Sequence, residues 1–418
     1  MKESVIKSAY EAAKERYASI GVDTDAALEK LQKIAISIHC WQSDDVTGFE
    51  NLGGNLGGGG IQATGNYPGR ARNVDELRQD IEEVQTLIAG KHRLNLHAIY
   101  GDFGNKVVDR DQLEPEHFTS WMQWAKEKDL KLDFNTTSFG HPKSGDLTLA
   151  NPDEGIRKFW IEHSKRCREI SEAFGKFQND PCIMNLWIHD GSKDLTVNRL
   201  LYRQILEKSL DEIFAKDLKN MKDCIEAKLF GIALESYTVG SYDFYLGYGA
   251  KKQKIVTLDT GHFHLSESIP DKISALLLFT PEIMLHVSRP IRWDSDHVTI
   301  LNDDLTELAK EITRANALDR VHIGLDYFDA SINRIGAYVI GIRSTQKALL
   351  QGLLEPIKTL RDYEGKGQYF ERLALLEEAK GLPWNLVWDY FCLKNNIAVG
   401  EEYISEIQKY EKAVLSKR

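Results

Sequence analysis

Residues 255–297 read IVTLDTGHFHLSESIPDKISALLLFTPEIMLHVSRPIRWDSDH. Two short β-type runs, IVTLD and EIMLHVS, flank a helical pattern from Ser266 to Thr280, which is the signature of strands joined by a crossover helix. At or just beyond the C-terminal end of each run sit groups that ligate metals. Asp259 and His262 are three apart, His286 lies in the second run, and Asp294 and Asp296 are two apart beyond it. Carboxylates two apart in extended chain share one face, so Asp294 and Asp296 are expected to clasp an ion together. Taken singly, each Asp reads as a turn or helix cap and each His as a satisfied strand-end residue. Five such residues within 38 positions, all following strand runs, favour a metal site. Carboxylate and imidazole together suit Mn²⁺, Co²⁺ or Mg²⁺ rather than a thiolate-bound metal.

The same alternation extends outward in both directions. Upstream lie IAISIHCW (34–41), RLNLHAIY (93–100), LKLDFNTTSF (130–139), CIMNLWIH (182–189) and CIEAKLFG (224–231); downstream lies RVHIGLDYF (320–328). Helical patterns are expected over 74–89, 114–128, 153–174, 197–214 and 305–315. Eight βα units in series predict an α/β fold, a TIM (β/α)8 barrel. An open doubly wound sheet is the competitor, but no GxGxxG turn follows the first run. Two helices are expected within residues 2–33, and a long helical extension follows Ile332. The expected division is therefore a barrel over 1–335, with 336–418 supplying the last barrel helix and an extension for oligomer contacts. Asn51 to Gly69 holds eight glycines in nineteen residues and is expected to be a lid.

Bulk properties narrow the partners. The 418 residues carry a net charge of −10, which argues against nucleic acid, because phosphate recognition needs a basic face. The five cysteines are odd in number and show no CxxC spacing, which suits a reducing compartment. No run of about 20 apolar residues exists to span a membrane. A cytoplasmic protein acting on a small molecule is the expectation.

A barrel gathers its active site at the C-terminal strand ends. The polar residues there are Trp41 with Asp44 and Asp45, His97 with Asp102, Asp133 and Asn135, Trp187 with His189 and Asp190, Glu226 and Lys228, then Asp259, His262, His286, Asp294, Asp296 and Asp326. So many converging carboxylates would repel one another unless cations intervene. Glu226, Asp259, His262, His286, Asp294, Asp296 and Asp326 suffice as ligands for two ions. Lys228, two residues after Glu226, is placed to donate a hydrogen bond to a substrate oxygen, with a surface ion pair as the plainer reading. Trp41 and Trp187 offer apolar walls for a sugar ring, although tryptophan at strand ends is also common packing. His97 reads equally as a core residue or as part of the mouth.

In order and strand placement, Glu226-x-Lys228, Asp259-x-x-His262, His286, Asp294-x-Asp296 and Asp326 resemble the two-metal site of xylose-isomerase-like barrels. Over nearly its full length the chain is similar to the L-rhamnose isomerase family, through GIQATGNYPG (60–69), LDTGHFH, LHVSRPIRWDSDHV (285–298), DRVHIGLDYFDASINRIG (319–336) and LLEPIKTLR. The resemblance implies an aldose–ketose isomerase with two divalent ions, Mn²⁺ foremost. Glu226, Asp259, His286 and Asp326 would hold the first ion, and His262, Asp294 and Asp296 the second, with Asp259 bridging. Lys228, Asp326 and His97 are the catalytic candidates; Trp41, His97, Trp187 and Lys228 are the substrate contacts. A homotetramer is the implied assembly. Rivals are a ketose 3-epimerase or an isomerase of another aldose on the same barrel, a metal-dependent DNA-repair endonuclease, and a sugar-binding protein without catalysis.

Overall fold

The computed structural model describes residues 1–50, 65–104, 106–228, 235–291 and 295–418. Eight parallel strands close on themselves: β1 (Ile36–His39), β2 (Arg93–His97), β3 (Lys131–Asn135), β4 (Cys182–Leu186), β5 (Met221–Glu226), β6 (Ile255–Asp259), β7 (Ile283–Val287) and β8 (Val321–Leu325). The hydrogen-bonded order follows the chain, and β8 closes against β1 through Ile36–Ile323 and Ser37–Gly324. All eight apolar runs are barrel strands. Each strand is nearly or wholly buried because helices cover the outside and side chains fill the inside.

Barrel helices carry the signals that start helices. Asp23, Asn73, Asp153, Asn302 and Asn333 each accept a hydrogen bond from a backbone N–H in the first turn of the helix that follows. The amphipathic helix Asp303–Arg314 buries Leu305, Leu308, Ala309 and Ile312, an i, i+3, i+4, i+7 face. One helix, Tyr242–Lys252, is not marked in the sequence pattern. Its aromatics and glycines (YDFYLGYGAKK) make no apolar stripe, and only Tyr245, Tyr248 and Gly249 are buried. After the last barrel helix, Arg334–Leu353, four more helices follow, with breaks at Gly365–Gly367 and Gly381–Pro383. Among the described residues no helix is long and apolar enough to cross a membrane.

The barrel interior is layered. Ile183, Cys224, Ile255 and Met284 form an apolar cluster separate from the main core. Each lies two residues before an inward polar residue (Asn185, Glu226, Thr257 or His286), so strand alternation places it one layer lower. Beside it, at the same depth, Arg93 donates to both carboxylate oxygens of Asp133 at 2.8 Å, and Ser37 Oγ and the Ile183 N–H donate to the same carboxylate. The barrel therefore has a closed, hydrogen-bonded floor.

Helix Glu154–Gln178 packs backbone to backbone near its end. A Cβ on Gly175 would lie 1.6 Å from the Asn220 carbonyl oxygen just before β5. We expect Gly175→Ala to cost about 2–3 kcal/mol, because the helix must shift to admit the methyl group. Urea denaturation checks this; unchanged stability would mean that the helix moves freely.

Most of the segment expected to be a lid, residues 51–64, lies outside the described residues. Its flanks are anchored. Glu50 accepts from Arg110 Nη2 at 2.5 Å, and Arg110 also donates to the Thr137 carbonyl at 2.8 Å. Tyr67 N–H donates to the Ala330 carbonyl at 2.7 Å, and Arg334 donates to the Tyr67 carbonyl at 2.9 Å.

Candidate active site

At the C-terminal mouth one pocket is lined by Trp41, His97, Asn135, Asn185, Trp187, Glu226, Lys228, His262, His286, Asp296 and Asp326, with Val46, Phe139 and Phe328 among them. Strand register explains the gathering. Asp259 pairs with His286 across β6 and β7, and Glu226 ends β5 beside them. Asp326 follows β8 directly, held by its N–H to the Val287 carbonyl at 3.1 Å.

Glu226, Asp259, His286 and Asp326 each place one ligand atom within 4.8 Å of the others. His286 Nδ1 lies 3.2 Å from Glu226 Oε2, 3.4 Å from Asp326 Oδ2 and 3.9 Å from Asp259 Oδ2. Among the described residues neither ring nitrogen of His286 has a hydrogen-bond partner, although the side chain is buried. Burial opposes charge on this imidazole, but Glu226 first, then Asp326 and Asp259, raise its pKa to about 9. Burial likewise works to raise Glu226, and the facing His286 and His262 overcome it, holding that carboxyl well below the usual range. Three carboxylates around one imidazole set up a strongly negative potential in a buried place. That donor set, oxygen-rich with one nitrogen, fits a divalent cation of the Mn²⁺ class.

His262 stands beside this group. Its Nδ1 lies 2.9 Å from the Ala227 carbonyl and 3.1 Å from Glu226 Oε1. A carbonyl only accepts, so the proton sits on Nδ1 and the lone pair on Nε2, which is 3.8 Å from Asp259 Oδ2. Asp296 lines the pocket too, but in a left-handed turn at φ 42° rather than in extended chain. The extended pairing expected of Asp294 and Asp296 is therefore not how Asp296 is presented, because the chain leaves the ladder after Val287. Asp294 lies outside the described residues.

Around the carboxylates stand the remaining candidates. Trp41 Nε1 donates to Asp326 Oδ1 at 2.9 Å. Lys228 is buried, with its Nζ 4.6 Å from the centroid of the Trp187 ring, a cation–π contact that orients the ammonium. His97 meets Trp41 edge-on at 4.6 Å, and its Nδ1 lies 3.0 Å from the Thr136 carbonyl, which puts its lone pair on Nε2. Burial lowers the His97 pKa to about 3, so the ring is neutral at ordinary pH.

Other strand-end residues serve the scaffold. Asp44 accepts from the Tyr100 hydroxyl and the Gly48 N–H, Asp45 pairs with Arg334, and Asp102 accepts from Ser120. Asp190 accepts from Thr148 and the Ala150 N–H, His189 bonds the Gly145 carbonyl, and Asp133 belongs to the floor. Sequence reasoning passed over Asn185, which lies in the middle of its run rather than at the end, and Phe139 and Phe328, which carry no ligand chemistry.

The sequence profile of the family described as L-rhamnose isomerase (RhaA) matches residues 4–418. The chain belongs to the L-rhamnose isomerase family. It is 68% identical over 417 residues to the L-rhamnose isomerase of Bacteroides thetaiotaomicron, covering 100% of both chains. It is 54% identical to the enzyme of that name from Pectobacterium carotovorum subsp. carotovorum and 53% identical to that of Escherichia coli, with 99% of each chain covered. The family's members are aldose–ketose isomerases, and the closed barrel with a buried acid–imidazole cluster at its mouth is the framework of this one.

Proposed function

We propose that the protein converts L-rhamnose to L-rhamnulose with two divalent ions, Mn²⁺ foremost and Co²⁺ or Mg²⁺ as alternatives. The observation that carries this is the Glu226, Asp259, His286 and Asp326 group, whose Glu226, His286 and Asp326 line a pocket with Trp41, Trp187 and Lys228, in a chain of this family. Those four residues would hold one ion; His262 and Asp296, with Asp294, would hold the other. A bound divalent ion supplies Lewis-acid stabilisation of negative charge on the sugar oxygens.

The chain's own groups do the rest. Trp41, Trp187, Phe139 and Phe328 give the pocket apolar walls that exclude water from the reacting carbons. Lys228 donates a hydrogen bond to a sugar oxygen, strongest where charge develops. Asp326, fixed by Trp41, orients a sugar hydroxyl. Neutral His97 accepts a hydrogen bond through Nε2 and assists ring opening. In the isomerisation the C2–H bond breaks, a C1–H bond forms, and the O2 proton passes to O1.

Hydrogen can travel between the carbons as a proton or as a hydride. A proton route needs a base with a pKa near neutrality. The carboxylates of the first ligand set are committed to the cluster, and His97 at about 3 is too weak a base. We therefore assign a hydride shift. Reaction in D₂O should give ketose without carbon-bound deuterium at C1 by NMR; substantial incorporation above the non-enzymatic background would establish a proton route instead.

The buried cysteines, Cys40, Cys167, Cys182, Cys224 and Cys392, carry free thiols, which suits the cytoplasm. Helix Tyr369–Lys380 buries none of its residues and exposes Tyr369, Phe370 and Leu373. Apolar exposure of this kind supports an oligomer contact in the helical extension, consistent with a homotetramer.

A further inference from the structure

We infer that Thr257 and Asn185 form a hydrogen-bonded relay that presents Glu226 to the ion in one fixed orientation, which makes Thr257 a positioning residue for the metal centre. The inference rests on the reading that Glu226 holds an ion. Layering of the barrel supplies the geometry, because inward side chains of alternate strands share a layer. Asn185 from β4 and Thr257 from β6 meet in this way: Thr257 Oγ1 donates to Asn185 Oδ1 at 2.8 Å. Asn185 Nδ2 in turn donates to Glu226 Oε2, from β5 between them. Thr257 is 1% exposed and Asn185 2%, so water does not substitute for either partner.

The order of donors follows from chemistry. A carboxylate accepts only, so Asn185 must turn its NH₂ toward Glu226 and its carbonyl away. An amide can flip by 180° and present its oxygen instead, which would face two acceptors at one another. Glu226 thus sets the sense of the amide, and the Thr257 hydroxyl, donating to the carbonyl, pins the amide plane in place. With Oε2 so held, and Oε1 3.1 Å from His262 Nδ1, Glu226 has one orientation, which also keeps Oε2 3.2 Å from His286 Nδ1. Without Thr257, both the amide and the carboxylate gain alternative positions. Each ion bound must then select one, and that selection weakens affinity.

The test is titration calorimetry of Mn²⁺ into chelator-stripped protein, with far-UV circular dichroism and melting temperature recorded before addition of the metal. Thr257→Val keeps the shape and the β-branch and removes the donor. It should weaken the tighter Mn²⁺ site about tenfold, the lower end for groups that orient metal ligands, while Thr257→Ser should stay within about twofold of the parent protein. Asn185→Leu should weaken the site at least as much. Thr257→Val added to Asn185→Leu should then cost nothing further, because the hydroxyl acts only through the amide. Parental affinity in folded Thr257→Val, equal losses for Val and Ser, or additive losses in the double variant would each overturn the relay. If Thr257→Val fails to fold, Thr257→Ala, alone and added to Asn185→Leu, decides the matter by the same additivity. Failure of the parent protein to bind Mn²⁺ at all would instead overturn the reading of Glu226 as a ligand.

Discussion

Protein stripped of divalent ions is expected to form ketose from L-rhamnose at roughly a thousandth of the loaded rate or less, and Mn²⁺ should restore it. The magnitude follows from the charge that the reaction places on two sugar oxygens. Lewis-acid stabilisation of such charge is worth several kcal/mol, and about 4 kcal/mol corresponds to roughly a thousandfold in rate. Without cations the pocket is the wrong sign for the task, since Glu226, Asp259 and Asp326 converge on His286 within 4.8 Å. Their negative potential would oppose a developing alkoxide rather than accommodate it. The measurement is an EDTA-treated, desalted preparation assayed with and without added Mn²⁺, with circular dichroism to show that the fold persists. Undiminished turnover in protein proven metal-free by elemental analysis would refute the proposed chemistry.

The second large effect is expected at Lys228. Lys228→Met keeps the apolar stem and approximate length while removing the ammonium that lies over Trp187 at 4.6 Å. A charged donor aimed at an oxygen that gains charge is worth more in the transition state than in the bound sugar. The variant should therefore lose about 10²–10³ in kcat with KM changed only a few-fold, as for deletion of a single oxyanion-stabilising donor. Its Mn²⁺ affinity should stay close to the parent value, which separates this role from metal binding. Steady-state kinetics on L-rhamnose give both constants; a rise in KM at constant kcat would show Lys228 to be a ground-state binding group only.

The barrel was legible in the sequence because its strand runs are short and apolar, and several are followed by helices with a side-chain cap (Asn73, Asp153, Asn302, Asn333), a pattern set by local chemistry. The helix Tyr242–Lys252 was not, since its burial is decided by tertiary contacts of Tyr245 and Tyr248 rather than by any periodic stripe. The same divide runs through the site. Glu226, Asp259, His286 and Asp326 announce themselves by residue type at strand ends. Asp133 looked equivalent, yet β3 stops at Asn135 and the run's last residues, Thr136 to Phe139, leave the ladder. Asp133 therefore lies a layer deeper, where Arg93 takes it. Depth within a barrel depends on where each strand begins and on its register with its neighbours, which composition does not encode. Asn185 and Thr257 escaped notice for a related reason: their importance lies in whom they touch across alternate strands.

The closed floor has a kinetic meaning. With Arg93, Asp133 and Ser37 hydrogen-bonded across the base, and Ile183, Cys224, Ile255 and Met284 packed beside them, the described residues make the barrel a cup filled at its base. Aldose and ketose must enter and leave by one doorway. Each turnover thus ends with the product vacating the path that the next substrate needs, and the two sugars contend for a single vestibule in both directions of the equilibrium.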